Sequence, residues 1–171
     1  MINTYNLFAT PVVHGKFAIS PILHKKILTY VEKEITSPTI CTRSVINGHQ
    51  FHAGFDGKEE IDSQLNTFFA NNFSLTIEHS WLNILTGNSY NAPHSHGGEQ
   101  VTSSVVFYLS QNNNNITFVK DDKTFEIKPK LFDYLLFPCD LVHYVLPEER
   151  PEPRVCYAFN LKPIRKDKNV E

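Results

Sequence analysis

Three kinds of residue pattern are missing from this 171-residue chain, and each absence removes a class of function. Its cysteines are only Cys41, Cys139 and Cys156. They are odd in number and share no C-x-x-C spacing, so neither a disulfide framework nor a zinc knuckle is implied. Basic charge is not in excess. Sixteen Lys and Arg stand against eighteen Asp and Glu, a formal net charge of -2, and no basic stripe is present to neutralise a row of phosphates. Nucleic acid is therefore not the expected partner. No apolar run approaches the length of a membrane span, and the first residues, "MINTYNLFATPVVHGKF", show no basic segment followed by a sustained apolar one. The expectation is a soluble, cytoplasmic protein.

What is present is an ordinary globular composition, 41% apolar with 13 Phe and 7 Tyr, which favours sheet-rich packing. The stretch Ser20 to Thr36 opens with Ser at an N-cap position and Pro at N1, and its Leu23, Ile27, Val31 and Ile35 recur every four residues. It predicts a helix with one buried face. Ile61, Leu65, Phe68 and Phe69 predict a second helix over Glu59 to Asn72, and Asn47-Gly48 between the two marks a loop or short hairpin. From Ser74 onward the pattern changes to short strands: "SLTIEHSWLNIL", "VTSSVVFYLS", "NITFVK", "TFEIK", "FDYLLFP" and "RVCYAFNLK". "QNNNN" and "KDDK" between them read as hairpin turns. The expected fold is mainly β (α+β), one domain over 1–171. A helical buttress covers about 20–72, an antiparallel jelly-roll or related barrel about 74–163, and a frayed tail 164–171.

Within the β half, "YNAPHSHGGE" places His94 and His96 two residues apart. On a strand, such residues share a face, so two imidazoles aim at one point, as a metal site requires. His143, in "FPCDLVHYV", follows a strand that ends at Pro138 and is able to reach back to that pair. Arg154 opens the last strand. Alternation puts it on one face with Cys156, Ala158 and Asn160, and Val155, Tyr157 and Phe159 on the other. A guanidinium facing an interior calls for an anionic partner, and a carboxylate bound bidentately meets that need. Arg150, in the proline-rich "EERPEP", is expected in solvent, and His14, His24, His49, His52 and His79 are expected to be surface or satisfied structural residues.

Taken in order, "LFATPVV", "WLNILTGNSYNAPHSHG", "SSVVFYL", "DYLLFPCDLVHYV" and "PRVCYAFN" resemble the iron(II)- and 2-oxoglutarate-dependent oxygenases, a double-stranded β-helix family. The branch most similar is a short, prolyl-hydroxylase-like one from bacteria and phages that carries H-x-H in place of the usual H-x-D/E. The resemblance implies that His94, His96 and His143 ligate Fe(II) and that Arg154, eleven residues after His143, holds the distal carboxylate of 2-oxoglutarate. It also implies dioxygen as cosubstrate, and a prime substrate that is a protein side chain, such as prolyl, or a small molecule. Asn83, Tyr90, Ser104 and Tyr108 become candidates to hydrogen-bond the cosubstrate, with core packing as the alternative for Tyr108. Glu99 offers a carboxylate ligand in place of His96 if Gly97-Gly98 bends the strand. Two other readings stay open. "GNSYNAPHSHGGE" is also similar to the cupin pattern, which gives a site of His94, His96, Glu99 and His143 and has no need of Arg154. The missing carboxylate ligand is also compatible with a jelly roll that has lost turnover and serves in interaction.

Overall fold

A computed structural model describes residues 3–7, 10–42, 44–98, 100–111 and 114–165. Helix α1, Pro21–Glu34, starts where the sequence marks it. The Leu23 N–H donates to the Ser20 hydroxyl at 3.1 Å, and Leu23, Ile27 and Val31 are the residues α1 buries. Helix α2, Lys58–Phe73, follows Gly57, whose φ of 92° suits glycine, and buries Ile61, Leu65 and Phe69. A Cβ at Gly57 would also lie 2.8 Å from Leu23 Cδ1, so this glycine lets the two helices approach each other. Ser74 in the left-handed region ends α2, its N–H returning to the last-turn carbonyls of Phe69 and Ala70.

Twelve strands complete the fold: β1 (Asn3–Leu7), β2 (Thr10–Lys16), β3 (Val45–Ile46), β4 (His49–Phe51), β5 (Leu75–Leu85), β6 (Tyr90–His94), β7 (Ser103–Tyr108), β8 (Ile116–Lys120), β9 (Lys123–Ile127), β10 (Asp133–Pro138), β11 (Val142–Val145) and β12 (Arg154–Pro163). They form two antiparallel sheets. The larger runs β1-β2-β10-β7-β12-β5-β4 and the smaller β3-β6-β11-β8-β9. The period-2 alternation of the central strands builds both cores. Val105 and Phe107, Tyr134 and Leu136, and Val155, Tyr157, Phe159 and Leu161 face the helices, where they meet Leu23, Ile27, Leu65 and Phe69. Val106, Tyr108, Leu135, Phe137 and Cys156 face the smaller sheet and meet Ile116, Phe118 and Val145. Each fully buried Phe or Leu in these layers contributes roughly 1.5–3 kcal/mol. The helices thus seal the outer face of the large sheet, and the inner face is left to carry a site. The result is a jelly roll with free edges at β1, β4, β3 and β9, rather than a closed barrel.

Two of the three segments read as possible hairpin turns do not form hairpins. β3 and β4 do not form a hairpin around Asn47-Gly48: β3 extends β6 and β4 extends β5, so this segment is a corner between sheets, with Asn47 at φ 55°. Each short strand satisfies the unpaired edge of a different sheet. "QNNNN" likewise joins β7 of one sheet to β8 of the other. Of these three segments, "KDDK" does close a hairpin, between β8 and β9, with Asp121 and Asp122 both at positive φ as a two-residue mirror-type turn requires. "LFATPVV" is divided between β1 and β2, which pair antiparallel, with Phe8 and Ala9 outside the described residues. Residues 166–171 of the expected tail also lie outside them. Among the described residues no helix is long and apolar enough to cross a membrane.

Candidate metal centre

His94 is the last residue of β6, and His143 stands directly opposite it on β11, with ring centroids 4.3 Å apart. Between this pair and the next, Asn91 with Val145, the register shifts: Ala92 and Pro93 together oppose Tyr144. This bulge resets the alternation, so that Asn91 and His94, three residues apart, both line one cavity. Tyr90 is not among the lining residues. The bulge also suits a proline, which has no N–H to give the ladder.

His96 does not share a strand face with His94, contrary to the sequence expectation, because β6 ends at His94. Its backbone N–H donates to the Cys139 carbonyl at 2.7 Å, which turns the chain back over the end of β10, and its ring lies 5.1 Å from those of both His94 and His143. One nitrogen from each of the three imidazoles lies within 4.8 Å of the other two, a spacing that can hold a metal ion. Glu99 lies outside the described residues.

Hydrogen bonds set the tautomers. Nδ1 of His94 donates to Ala92 O at 2.8 Å, Nδ1 of His143 to Leu141 O at 3.0 Å, and Nδ1 of His96 to Asn160 Oδ1 at 2.6 Å. With the proton on Nδ1, each Nε2 carries the lone pair that a metal needs. Burial, followed by the like charges of His94 and His96, pushes the pKa of His143 well below the usual imidazole value, against the opposing effect of its bond to Leu141. Burial also lowers His96, although its bond to Asn160 works the other way. Neutral imidazole is the ligating form.

Arg154 faces the same cavity, 1% exposed. Its Nη1 donates to Cys156 Sγ at 3.4 Å, its guanidinium lies 5.2 Å from the Tyr108 ring centroid, and its Nε has no partner. No carboxylate pairs with it among the described residues. The Tyr108 hydroxyl, also buried, is unpartnered too, and burial raises its pKa despite the neighbouring Arg154 charge, so it remains a neutral phenol. Asn83 lines the cavity and accepts from Gln50 Nε2 at 3.0 Å. Ser104 lies behind the lining and donates to Asn160 Oδ1 at 2.9 Å. The side chains stand close in and enclose only about 20 Å³, room for about one water.

Four residues escaped the sequence reading of the site. Asn91 enters it through the β6 bulge, and Asn160, on the Arg154 face by alternation, stands behind His96 as its hydrogen-bond acceptor. Cys156 was placed on the Arg154 face but not beside the guanidinium. Trp81 stands between the cavity and an outer groove of about 780 Å³ lined in part by His52, Lys58, Asp62, Asn66 and His79, and its ring is 5.3 Å from that of His96. Arg150 is a correction: it is buried rather than solvated, donating to the carbonyls of Gly87, Ser89 and Leu146 and to Asn114 Oδ1. A guanidinium offers five donors, and the loop carbonyls gathered around it have no strand partner. Of the other histidines, His14 meets Asp133 and His24 meets Leu109 O, but His49 is buried with Nε2 unpartnered.

No family model matches the chain, and no curated protein matches it. Solved structures do. A prolyl-4-hydroxylase from Pseudomonas putida is 11% identical, covering 94% of this chain and 96% of its own, with a TM-score of 0.65. A prolyl hydroxylase from Trichoplax adhaerens, in complex with a hypoxia inducible factor oxygen degradation domain peptide fragment, is 13% identical over 88% of this chain and 83% of its own, with a TM-score of 0.67. HygX from Streptomyces hygroscopicus, with nickel and 2-oxoglutarate bound, is 12% identical over 89% and 82%, with a TM-score of 0.61. The fold of this chain is the jelly roll of such 2-oxoglutarate oxygenases.

Proposed function

We propose that this chain, as a single domain, is an iron(II)- and 2-oxoglutarate-dependent oxygenase. The observation that carries the reading is Arg154, a buried guanidinium with no carboxylate partner among the described residues, which lines the same cavity as three converging imidazoles. An unpaired buried charge costs several kcal/mol, which a bound dicarboxylate would offset. The donor set fits the group. His94, His96 and His143 would hold the metal through Nε2, and Arg154 would take the distal carboxylate, with Asn83 and the Tyr108 hydroxyl available beside it. When bound, iron, 2-oxoglutarate and dioxygen supply an oxidation coupled to decarboxylation of the cosubstrate to succinate.

The chain's own part is to bind, orient and exclude water. The Nδ1 bonds hold each ring with its lone pair inward, while Val106, Ile116 and Val145 keep the cavity wall apolar. A five-carbon dicarboxylate exceeds the space now enclosed, so its entry requires lining side chains to swing outward. Trp81 borders both the cavity and the outer groove, which makes that groove the approach for a prime substrate, an amino-acid side chain such as prolyl or a small metabolite. Similar folds in complex with a peptide fragment and with hygromycin B bound support both classes.

The test is an anaerobic titration of iron(II) and then 2-oxoglutarate, following the visible metal-to-ligand charge-transfer band, with His143→Ala and Arg154→Ala alongside. The expected result is a band that the first variant abolishes and the second weakens. Iron uptake without a band would replace this reading with a cupin-type site.

A further inference from the structure

We propose that Asn160, held by Ser104, is the positioning residue that makes an imidazole serve as metal ligand at position 96. This rests on the metal-binding half of the proposed function and not on the cosubstrate. The three candidate ligands are oriented in two different ways. His94 and His143 each donate Nδ1–H to a carbonyl two residues earlier in their own chain segment, so local backbone sets both rings. His96 has left the strand. Its Nδ1 acceptor is a side chain 64 residues away, the Asn160 oxygen at 2.6 Å.

That oxygen also has a second donor. Asn160 is 8% exposed, stands directly across from Ser104 in the β12–β7 ladder, and accepts the Ser104 hydroxyl on the same Oδ1 at 2.9 Å. An amide has two chemically opposite ends. With its oxygen toward His96, Nδ1 carries the proton and Nε2 the lone pair. With its NH₂ there, Nδ1 would have to accept, and Nε2 would carry a proton toward the metal position. Only the first arrangement permits ligation. A carboxylate in this position has no tautomer and needs no such acceptor, so an imidazole in its place creates a requirement that Asn160 meets. β12 thereby presents two site groups on one face: Arg154 toward the cavity and Asn160 toward the third candidate ligand.

Cobalt(II) is the probe, because its visible d–d absorption reports ligand number and its affinity can be measured by competition with a chelator. Wild type, His96→Ala, Asn160→Leu, Asn160→Asp and Ser104→Ala are titrated, with metal-free thermal unfolding as the folding control. Loss of an outer partner of a ligating His commonly costs about 10–100-fold in metal affinity. Asn160→Leu is expected to lose that much and to shift its spectrum toward that of His96→Ala, whereas Asn160→Asp, which keeps an acceptor oxygen, retains the wild-type spectrum. Ser104→Ala, which removes the hydrogen bond that anchors the Asn160 side chain, loses less in the same direction and decides the matter if Asn160→Leu does not fold. A folded Asn160→Leu with wild-type affinity and spectrum overturns the inference, as does a His96→Ala variant that binds cobalt unchanged. Wild type that takes up no cobalt overturns the metal reading, and the inference with it.

Discussion

His94 and His143 are cross-strand neighbours, the only in-register pair on β6 and β11 besides Asn91 with Val145, and their ring centroids are 4.3 Å apart. Two ligands held by one rung of a ladder are pre-oriented before a metal arrives. Replacing either by Ala is expected to weaken cobalt or iron binding by more than the roughly 100-fold upper range of an outer-partner loss. Competition titration checks this, and a variant that keeps wild-type affinity would remove its residue from the ligand set.

Arg154→Met separates cosubstrate binding from stability. The variant removes a buried charge that has no acidic partner among the described residues, and replacing buried ionic groups by apolar ones is often neutral or stabilising by about 1–4 kcal/mol. The expected outcome is an unfolding midpoint equal to or above wild type, metal binding retained, and 2-oxoglutarate binding lost. A lower midpoint would mean that Arg154 is a structural element.

Trp81 is the only tryptophan and lies between the site and the outer groove, with His96 on one side and His52, at 5.9 Å, on the other. Cosubstrate entry into so small a cavity has to displace lining side chains. Adding 2-oxoglutarate to the zinc-loaded protein should therefore change the emission of Trp81, and Arg154→Met should abolish the change. Unaltered emission, with binding shown by calorimetry, would mean that other residues open the cavity.

Acid stability should depend on His49. Burial lowers its pKa below the ordinary imidazole value, against the raising effect of Glu34. Its folded pKa is depressed, so the unfolded chain binds the proton more tightly. The contribution to stability is complete above the unfolded pKa of about 6.5 and is lost as pH falls from there toward the folded value. Thermal unfolding of metal-free protein between pH 7.5 and 5.5 should show a falling midpoint that His49→Leu makes shallower. An equal slope in the variant would contradict this role.

Arg150→Ala should unfold more easily than wild type while binding metal normally. Arg150 joins the β5–β6 turn, at Gly87 and Ser89, to Leu146 and Asn114, and a hydrogen bond to a charged group contributes roughly 1.5–3 kcal/mol. Chemical denaturation measures the loss. An unchanged midpoint would return Arg150 to the solvated role expected from its proline-rich setting.

Local patterns explain why much of this was readable in advance. The Ser20-Pro21 cap and the four-residue recurrence of Leu23, Ile27 and Val31 fix α1, and the alternation of β12 assigns Val155, Tyr157 and Phe159 to one core and Arg154 to the opposite face. Both signals depend only on side-chain period, which neighbouring residues set. Alternation failed at β6, where the Ala92-Pro93 bulge resets the phase, and beyond it, where the strand stops before His96. The burial of Arg150 is not legible locally, because charge and proline content describe its neighbours in sequence, while its hydrogen-bond acceptors Gly87, Ser89 and Asn114 come from elsewhere in the chain.

By itself the sequence determined the helices, most of the strands, the two-faced character of β12 and the set of candidate ligands, because periodicity and residue chemistry are local properties of a chain. The tertiary structure alone decided which sheet each short strand extends, how the bulge turns Asn91 and His94 inward, and which oxygen orients His96. Those outcomes depend on backbone groups and side chains distant in sequence satisfying one another, as Asn160 and His96 do across 64 residues.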